Sequence, residues 1–439
     1  MPFKMKKIKS SLVISAIMSL ILSAGCTTEA NGQEPLPKGE DLRIVVATDI
    51  HYLSPKLRDG GEIEKYVYEN GDGKEIGNMD LILDAFVEDM RKDSPDVLLV
   101  TGDLTLNGEK KSHEDLAKIF RKIEKFGVQV IVTPGNHDIS NVYAREFKGD
   151  KVDYADTVSP EEFEDIYSDF GFKDAVKRAE GNLSYLYKVS EDLYIAMVDS
   201  AVYKDNIENG YPATEGIVSQ SSKVFLEESG ALARENEADV IVAMHHNMMN
   251  HTTFMNAGFT LENAEEMRLL FRTQGFKVNL SGHIHIQDIH ITEEVTDIVT
   301  GAMSVYPNKY GIIDYSDGML EYATKWVDIE GYAKGKGLSE HYDFMSDARE
   351  RFKVFSSVRM KARLEGLIDE DSVSRLTELM GEINAYYFAG EKVPADVFDD
   401  SLTELLPEDD RTRFYIEDRK SGDLYENNSL IIDLKKQGN

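Results

Sequence analysis

The chain has 439 residues, 41% of them hydrophobic and 29% charged, and a formal net charge of −31. At about 150 residues per domain this length predicts two or three domains, and the composition is that of a soluble globular protein with a sizeable core. With 80 acidic against 49 basic residues, most of the surface repels phosphate backbones, which excludes extended nucleic acid as a partner and makes bound metal cations the natural source of positive charge at any site that handles phosphate.

The chain starts with "MPFKMKKIK", which carries Lys4, Lys6, Lys7 and Lys9, followed by an apolar run from Leu12 to Ala24. That run is too short to span a bilayer comfortably, and residues 1–25 read as a secretory signal peptide. Its ending, "LSAGC", resembles a bacterial lipoprotein signal. The resemblance implies lipidation of Cys26 and anchoring on the extracytoplasmic face of the cell membrane; simple secretion is the alternative. Cys26 is the only cysteine, so neither an intrachain disulfide nor a thiolate metal site is available. Residues 26–40, polar with Pro and Gly, read as a tether.

From residue 41 to 334, apolar β-type runs alternate with helical patterns. The runs are Leu42–Asp49, Asp96–Asp103, Val128–Asn136, Leu193–Asp199, Asp239–His245 and Phe276–His283. Between the second and third, Ser112–Phe126 places Leu116, Ile119, Phe120 and Ile123 at helical spacing. A strand-helix-strand unit predicts a mainly parallel sheet. After residue 285 shorter, antiparallel strands are predicted, giving an α/β fold of two packed sheets with helices outside. "KGKG" near Lys334 reads as a linker, and residues 335–439 as a small helical domain. There Leu376, Leu379, Met380, Ile383 and Tyr387 follow helical periodicity, and "KVPADVFDDSLTELL" predicts a second short helix with Pro394 near its start.

Each apolar run that matters ends in a ligand. The tips are "DIH" (Asp49, His51), "GD" (Asp103), "GNHD" (Asn136, His137, Asp138), "MHHN" (His245, His246, Asn247) and "GHIH" (His283, His285). Ligands collect at the carboxyl ends of strands in open α/β sheets, so these tips are predicted to meet. Two carboxylates, one amide oxygen and four imidazoles suit two ions sharing a carboxylate. Nitrogen and oxygen donors without thiolate favour Mn, Fe or Zn. Two ions about 3.5–4 Å apart hold a bridging hydroxide and clamp a phosphoryl oxygen. The chain has no GxxxxGK[ST] nucleotide loop and no Ser or Cys nucleophile elbow.

In this order the five motifs resemble the calcineurin-like metallophosphoesterase superfamily over about Asp41 to Val327. The resemblance implies a four-layer α/β/β/α sandwich. It assigns Asp49, His51 and His285 to one ion and Asn136, His245 and His283 to the other, with Asp103 bridging. His245 is preferred to His246 because the ligand directly follows the apolar strand in related sequences; Asn247 stands where the family commonly has Pro. His137 is implied to contact phosphate and protonate the leaving oxygen, with Asp138 orienting it. "GNHD" and the close spacing of "GHIH" are most like the cyclic nucleotide phosphodiesterase branch. The expected function is binuclear-metal-dependent hydrolysis of cyclic nucleotides or other small phosphodiesters by a metal-bridging hydroxide. A phosphomonoesterase and a non-catalytic metal-binding envelope lipoprotein are the alternatives. His113, His290 and His341 read as structural. His251 reads as an exposed loop residue, with substrate contact beside Asn250 as the alternative. Asp199 reads as either a support for the ligands or a turn cap.

Overall fold

Val- and Ile-rich runs that are buried along their whole length form the parallel strands, as expected for strands covered on both faces. In Val97–Thr101 and Gln129–Thr133 every residue is buried. The structure is a computed structural model, and it describes residues 35–69, 71–252, 257–366, 368–422 and 427–435. The expected signal peptide, Cys26 and the first part of the expected tether lie outside the described residues. Among the described residues, no helix is long and apolar enough to cross a membrane.

The strands are β1 (Leu42–Ala47), β2 (Val97–Thr101), β3 (Gln129–Thr133), β4 (Arg145–Lys148), β5 (Lys151–Tyr154), β6 (Lys177–Arg178), β7 (Tyr185–Lys188), β8 (Leu193–Val198), β9 (Asp239–Met244), β10 (Val278–Ser281), β11 (Asp288–Ile291), β12 (Thr296–Val299), β13 (Lys309–Ser316), β14 (Met319–Trp326) and β15 (Ser429–Asp433). One sheet has the order β15-β14-β13-β1-β2-β3 and the other β11-β12-β10-β9-β8-β7-β6, while β4 and β5 form a separate hairpin. β1, β2 and β3 run parallel, as do β8, β9, β10 and β12. Their carboxyl ends are where the predicted ligands begin.

The two sheets share one core, in which Val46, Leu99 and Ile131 meet Ile195, Ile241 and Leu280. Thr133 Oγ1 donates to Val198 O at 3.2 Å across the interface. Helix Lys110–Glu124 covers the first sheet with Leu116, Phe120 and Ile123 buried. Helix Gln220–Glu235 covers β8 and β9 with Phe225, Leu226 and Ala233 buried. The result is the four-layer helix-sheet-sheet-helix sandwich with a helical C-terminal region.

That region comprises helices Ile329–Lys336, Phe344–Leu364, Glu370–Phe388, Asp400–Thr403 and Arg411–Ser421. Asp369 caps the third, accepting from Ser372 N at 3.0 Å, and Leu376, Leu379, Met380 and Ile383 form its buried stripe. Four sequence expectations differ here. "KGKG" is not a linker but ends the helix Ile329–Lys336, so the boundary expected at 334/335 falls inside a helix. The helix expected over "KVPADVFDDSLTELL" is a single turn, Asp400–Thr403. Ser429–Asp433 is not helical: as β15 it pairs antiparallel with β14 at the edge of the first sheet. Part of the tether is docked, since Leu36 bridges Ser190. From Pro35 on the chain is one compact unit. The buried ammonium of Lys309, pushed down to about 8 by burial, donates to Ala389 O and Asn428 Oδ1, each at 2.6 Å, and so ties β13 to the C-terminal region.

Candidate metal centre

The chain leaves β1, β2 and β10 in an unusual conformation. Asp49, His51, Asp103, His283 and His285 all have positive φ, between 46° and 71°. Left-handed backbone costs on the order of 1–3 kcal/mol per non-glycine residue and persists only where its surroundings enforce it. Asp and His tolerate it better than most side chains. Two glycines make the convergence possible. Gly102 has φ 93°, and a Cβ there would stand 2.6 Å from His245 Nδ1. A Cβ on Gly282 would collide with Thr48 and Asp49.

The seven predicted ligands are brought together in two groups. Asp49, His51, Asp103 and His285 form one, and Asp103, His245 and His283 the other, with the candidate ligand atoms of each group within 4.8 Å of one another. Asn136 joins the second group, its Oδ1 lying 3.1 Å from His245 Nε2. Asp103 is common to both. Its Oδ2 is 3.5 Å from His51 Nε2 and 3.4 Å from His245 Nε2, while its Oδ1 accepts from His137 N at 2.9 Å.

Backbone carbonyls fix which imidazole nitrogen is free. Carbonyls only accept, so His245 donates Nδ1–H to Thr101 O (2.9 Å) and His283 donates Nε2–H to Gly258 O (2.8 Å). That leaves Nε2 of His245 and Nδ1 of His283 as lone-pair donors, the usual arrangement of a metal-ligating histidine. Two further observations fit cations here. Asp49 Oδ1 is buried without a hydrogen-bond partner, and His51 Nε2 and His285 Nε2 face each other at 3.1 Å. Burial would raise the Asp49 and Asp103 carboxyls, but His285 beside the first and His245 beside the second hold both below the ordinary aspartate range. Burial pushes His51 down and His283 down to about 3, so at neutral pH both rings present lone pairs. Burial lowers His245 but Asp103 outweighs it and raises it to about 9, so a cation taken up at its Nε2 displaces a proton; two anions, an amide oxygen and four imidazoles are then a donor set for two N/O-preferring divalent ions.

His246 turns away. Its Nδ1 meets Ser200 Oγ at 2.8 Å and its Nε2 donates to Thr214 O at 3.1 Å, as alternation along an extended segment dictates. Asn247 ties the two ligand loops together, donating to Gly282 O at 2.8 Å and Ser281 Oγ at 3.1 Å. His137 lies at the edge of the centre with its Nε2 4.0 Å from Asp103 Oδ2. Asp138 does not orient that ring. Its carboxylate accepts from Leu104 N, Thr105 N and Gly135 N at 3.1, 3.0 and 2.8 Å, bracing the loops after β2 and β3. His137 is instead oriented by its Nδ1–H, donated to Leu106 O at 2.7 Å.

His251 is not an exposed loop residue. Its ring is buried between Asp288 and Asp297. Asp297 also accepts from Met248 N and Met249 N at 2.7 Å each and from Asn279 Nδ2 at 2.8 Å, which supports the loop after His245. No motif marks Asp297 in the sequence. Ser304, which donates through Oγ to Asp49 O at 2.7 Å, is equally silent. Asp199 caps a turn, accepting from Tyr203 Oη at 2.7 Å and Ala201 N at 3.2 Å. His113 is structural, between Tyr167 Oη and Asp138 O.

The profile of the calcineurin-like phosphoesterase family matches residues 42–287, more than half of the chain. No curated protein matches the sequence. Among solved structures, the chain is similar to a dimetal phosphatase from Danio rerio, at 12% identity and a TM-score of 0.44 over 66% of this chain and 96% of that one. It is also similar to a putative 5'-nucleotidase from Staphylococcus aureus, at 12% identity and a TM-score of 0.38 over 63% of this chain and 51% of that one.

Proposed function

The chain belongs to the calcineurin-like phosphoesterase family, a family of metal-dependent phosphoester hydrolases, and on that premise we propose that it hydrolyses small phosphodiesters, cyclic nucleotides among them, at a two-metal centre. The observation that carries this is the shared carboxylate: Asp103 Oδ2 stands between the two donor groups, 3.5 and 3.4 Å from one imidazole of each. Two divalent cations held there would supply positive charge to non-bridging phosphoryl oxygens and bring the ionisation of a water towards neutral pH, chemistry that Mn and Fe, or Zn, perform. Asp49, His51 and His285 would hold one and Asn136, His245 and His283 the other.

His137 faces the same carboxylate oxygen from outside the donor groups. Burial lowers its proton affinity while Asp103 opposes that. In the free protein Nδ1–H is fixed on Leu106 O and Nε2 is turned towards Asp103. An anionic substrate favours protonation at Nε2, and the ring then delivers that proton to the leaving oxygen. The diester preference rests on the sequence, namely "GNHD" and the close "GHIH" pair.

The basic start, the short apolar run and Cys26 support an extracytoplasmic protein anchored to the membrane by lipid. Cys26→Ser is then expected to move the protein from the membrane to the soluble fraction. The main test supplies Mn²⁺, Fe²⁺ or Zn²⁺ to purified protein, counts bound ions, and compares bis(4-nitrophenyl) phosphate with 4-nitrophenyl phosphate. Two ions and faster diester cleavage are expected. Faster monoester cleavage would replace the diester assignment, and two bound ions with neither activity would leave a metal-binding envelope protein.

A further inference from the structure

A cation that no step above uses stands on a turn tied to the backbone of the centre. Lys74 belongs to "GDGKEIG", a turn between helix Glu62–Glu69 and helix Met79–Asp93. Its backbone bridges Val305. The next amide, Glu75 N, donates to Ser304 O at 2.6 Å. Ser304 in turn donates N–H and Oγ–H to Asp49 O, at 3.2 and 2.7 Å. One serine thus connects the turn to the backbone of a ligand.

The Lys74 side chain is only 7% exposed. Within that burial, Nζ makes no hydrogen bond to any described residue. Its one ion-pair contact among the described residues is Asp72 Oδ2, 4.0 Å away on a side chain 63% exposed. An ammonium has three donors and no acceptor, so Nζ keeps donors for a ligand. Burial is the main cause that lowers the proton affinity of His51 and His137, and the Lys74 charge adds to it at both rings. The ammonium therefore acts on the side of the centre where His51 and His137 stand, their ring centroids 4.9 Å apart.

The residues flanking Lys74 are held by the C-terminal region. Gly73 packs under Phe355 and Phe352, where a Cβ would come within 2.9 Å of the Phe355 ring. The Glu75 carboxylate receives Arg351 Nε and Nη2, both at 2.9 Å. All three partners lie on helix Phe344–Leu364.

We propose that Lys74 is a substrate-binding residue of this centre, its ammonium pairing with a non-bridging oxygen of the substrate phosphoryl group, and that the C-terminal helices hold it there through Gly73 and Glu75. A compact, strongly hydrated charge with three N–H donors suits a single phosphate oxygen. In a chain of net charge −31, it supplies positive charge that the metal ligands do not. The inference rests on the phosphoesterase reading and gives the helical region a task in that reaction.

The test uses the full chain loaded with Mn²⁺, and reads bound metal, inorganic phosphate affinity by calorimetry, and KM and kcat on bis(4-nitrophenyl) phosphate. Lys74→Met is expected to keep both ions, weaken phosphate binding and raise KM about 10- to 100-fold, as for loss of one charge-assisted hydrogen bond, with a smaller change in kcat. Lys74→Arg restores most of the affinity, which a merely space-filling role would not require. Arg351→Met, which loosens the turn without touching substrate, falls between Lys74→Met and wild type. Wild-type phosphate affinity and KM in Lys74→Met overturns the proposal, as does loss of metal from both Lys74 variants. A wild-type protein that takes up two ions but neither binds phosphate nor cleaves either model ester overturns the phosphoesterase reading itself.

Discussion

Raising the pH through 9 is expected to remove about 3 kcal/mol of folding stability held by one imidazole, that of His251. Its Nδ1 lies 2.7 Å from Asp288 Oδ2 and its Nε2 3.1 Å from Asp297 Oδ2, with no side-chain exposure. Burial alone would lower its proton affinity; the two carboxylates outweigh burial and raise it from 6.5 to about 9. At 1.36 kcal/mol per unit, a rise of roughly two and a half units corresponds to about 3 kcal/mol. The folded state binds this proton more tightly than the unfolded state does. Its contribution is therefore complete below 6.5, fades between 6.5 and 9, and is gone above. Urea denaturation of wild type and His251→Gln at about pH 6, 7.5 and 9.5 measures this, since other titrating groups cancel in the difference between distant, unperturbed sites. The wild-type advantage is expected to be largest at the lowest pH and to vanish at the highest. An advantage that stays constant over that range would show that the ring is uncharged in the folded chain and refute the reasoning.

Other outcomes follow from the same geometry. His137→Ala keeps both ions, because no ligand is removed, and lowers turnover on the order of 10²–10⁴-fold, the contribution of a general acid; metal analysis beside steady-state kinetics checks it. Gly102→Ala, at φ 93° and against His245 Nδ1, costs about 1–3 kcal/mol in thermal or urea unfolding and weakens metal binding at the His245 group, read by titration. Truncation after residue 335 is expected to yield aggregated protein rather than a free-standing sandwich. It strips β15 from the sheet edge and takes both acceptors from the buried Lys309 ammonium; size-exclusion chromatography of the truncated chain decides.

The centre was legible in the sequence because each ligand directly follows a buried run. Val97–Thr101 and Asp239–Met244 announce themselves as strands, and the residues after them, Gly102-Asp103 and His245, have little use at a buried strand end except as ligands. The choice of His245 over His246 came from its place directly after the apolar strand, as in related sequences. What escaped is non-local. Asp138 sits next to His137 in sequence, yet its carboxylate serves backbone amides 33 and 34 residues back. His251 looked like a loop histidine because its partners, Asp288 and Asp297, lie 37 and 46 residues on. The "SLIID" of β15 is too short to declare itself, since its pairing with β14 is set by tertiary contact, and "GYAKGK" forms a helix against the glycine content that argues for a linker.

The edge position of β15 has a bearing on when the protein can finish folding. β15 closes a sheet whose inner strand, β1, precedes it by several hundred residues. A chain delivered N-terminus first leaves the outer rim of β14 unprotected until residues 429–433 arrive. Unpaired rims of that kind are templates for association between unfinished copies, so the first sheet is complete only after the C-terminal helices have been made.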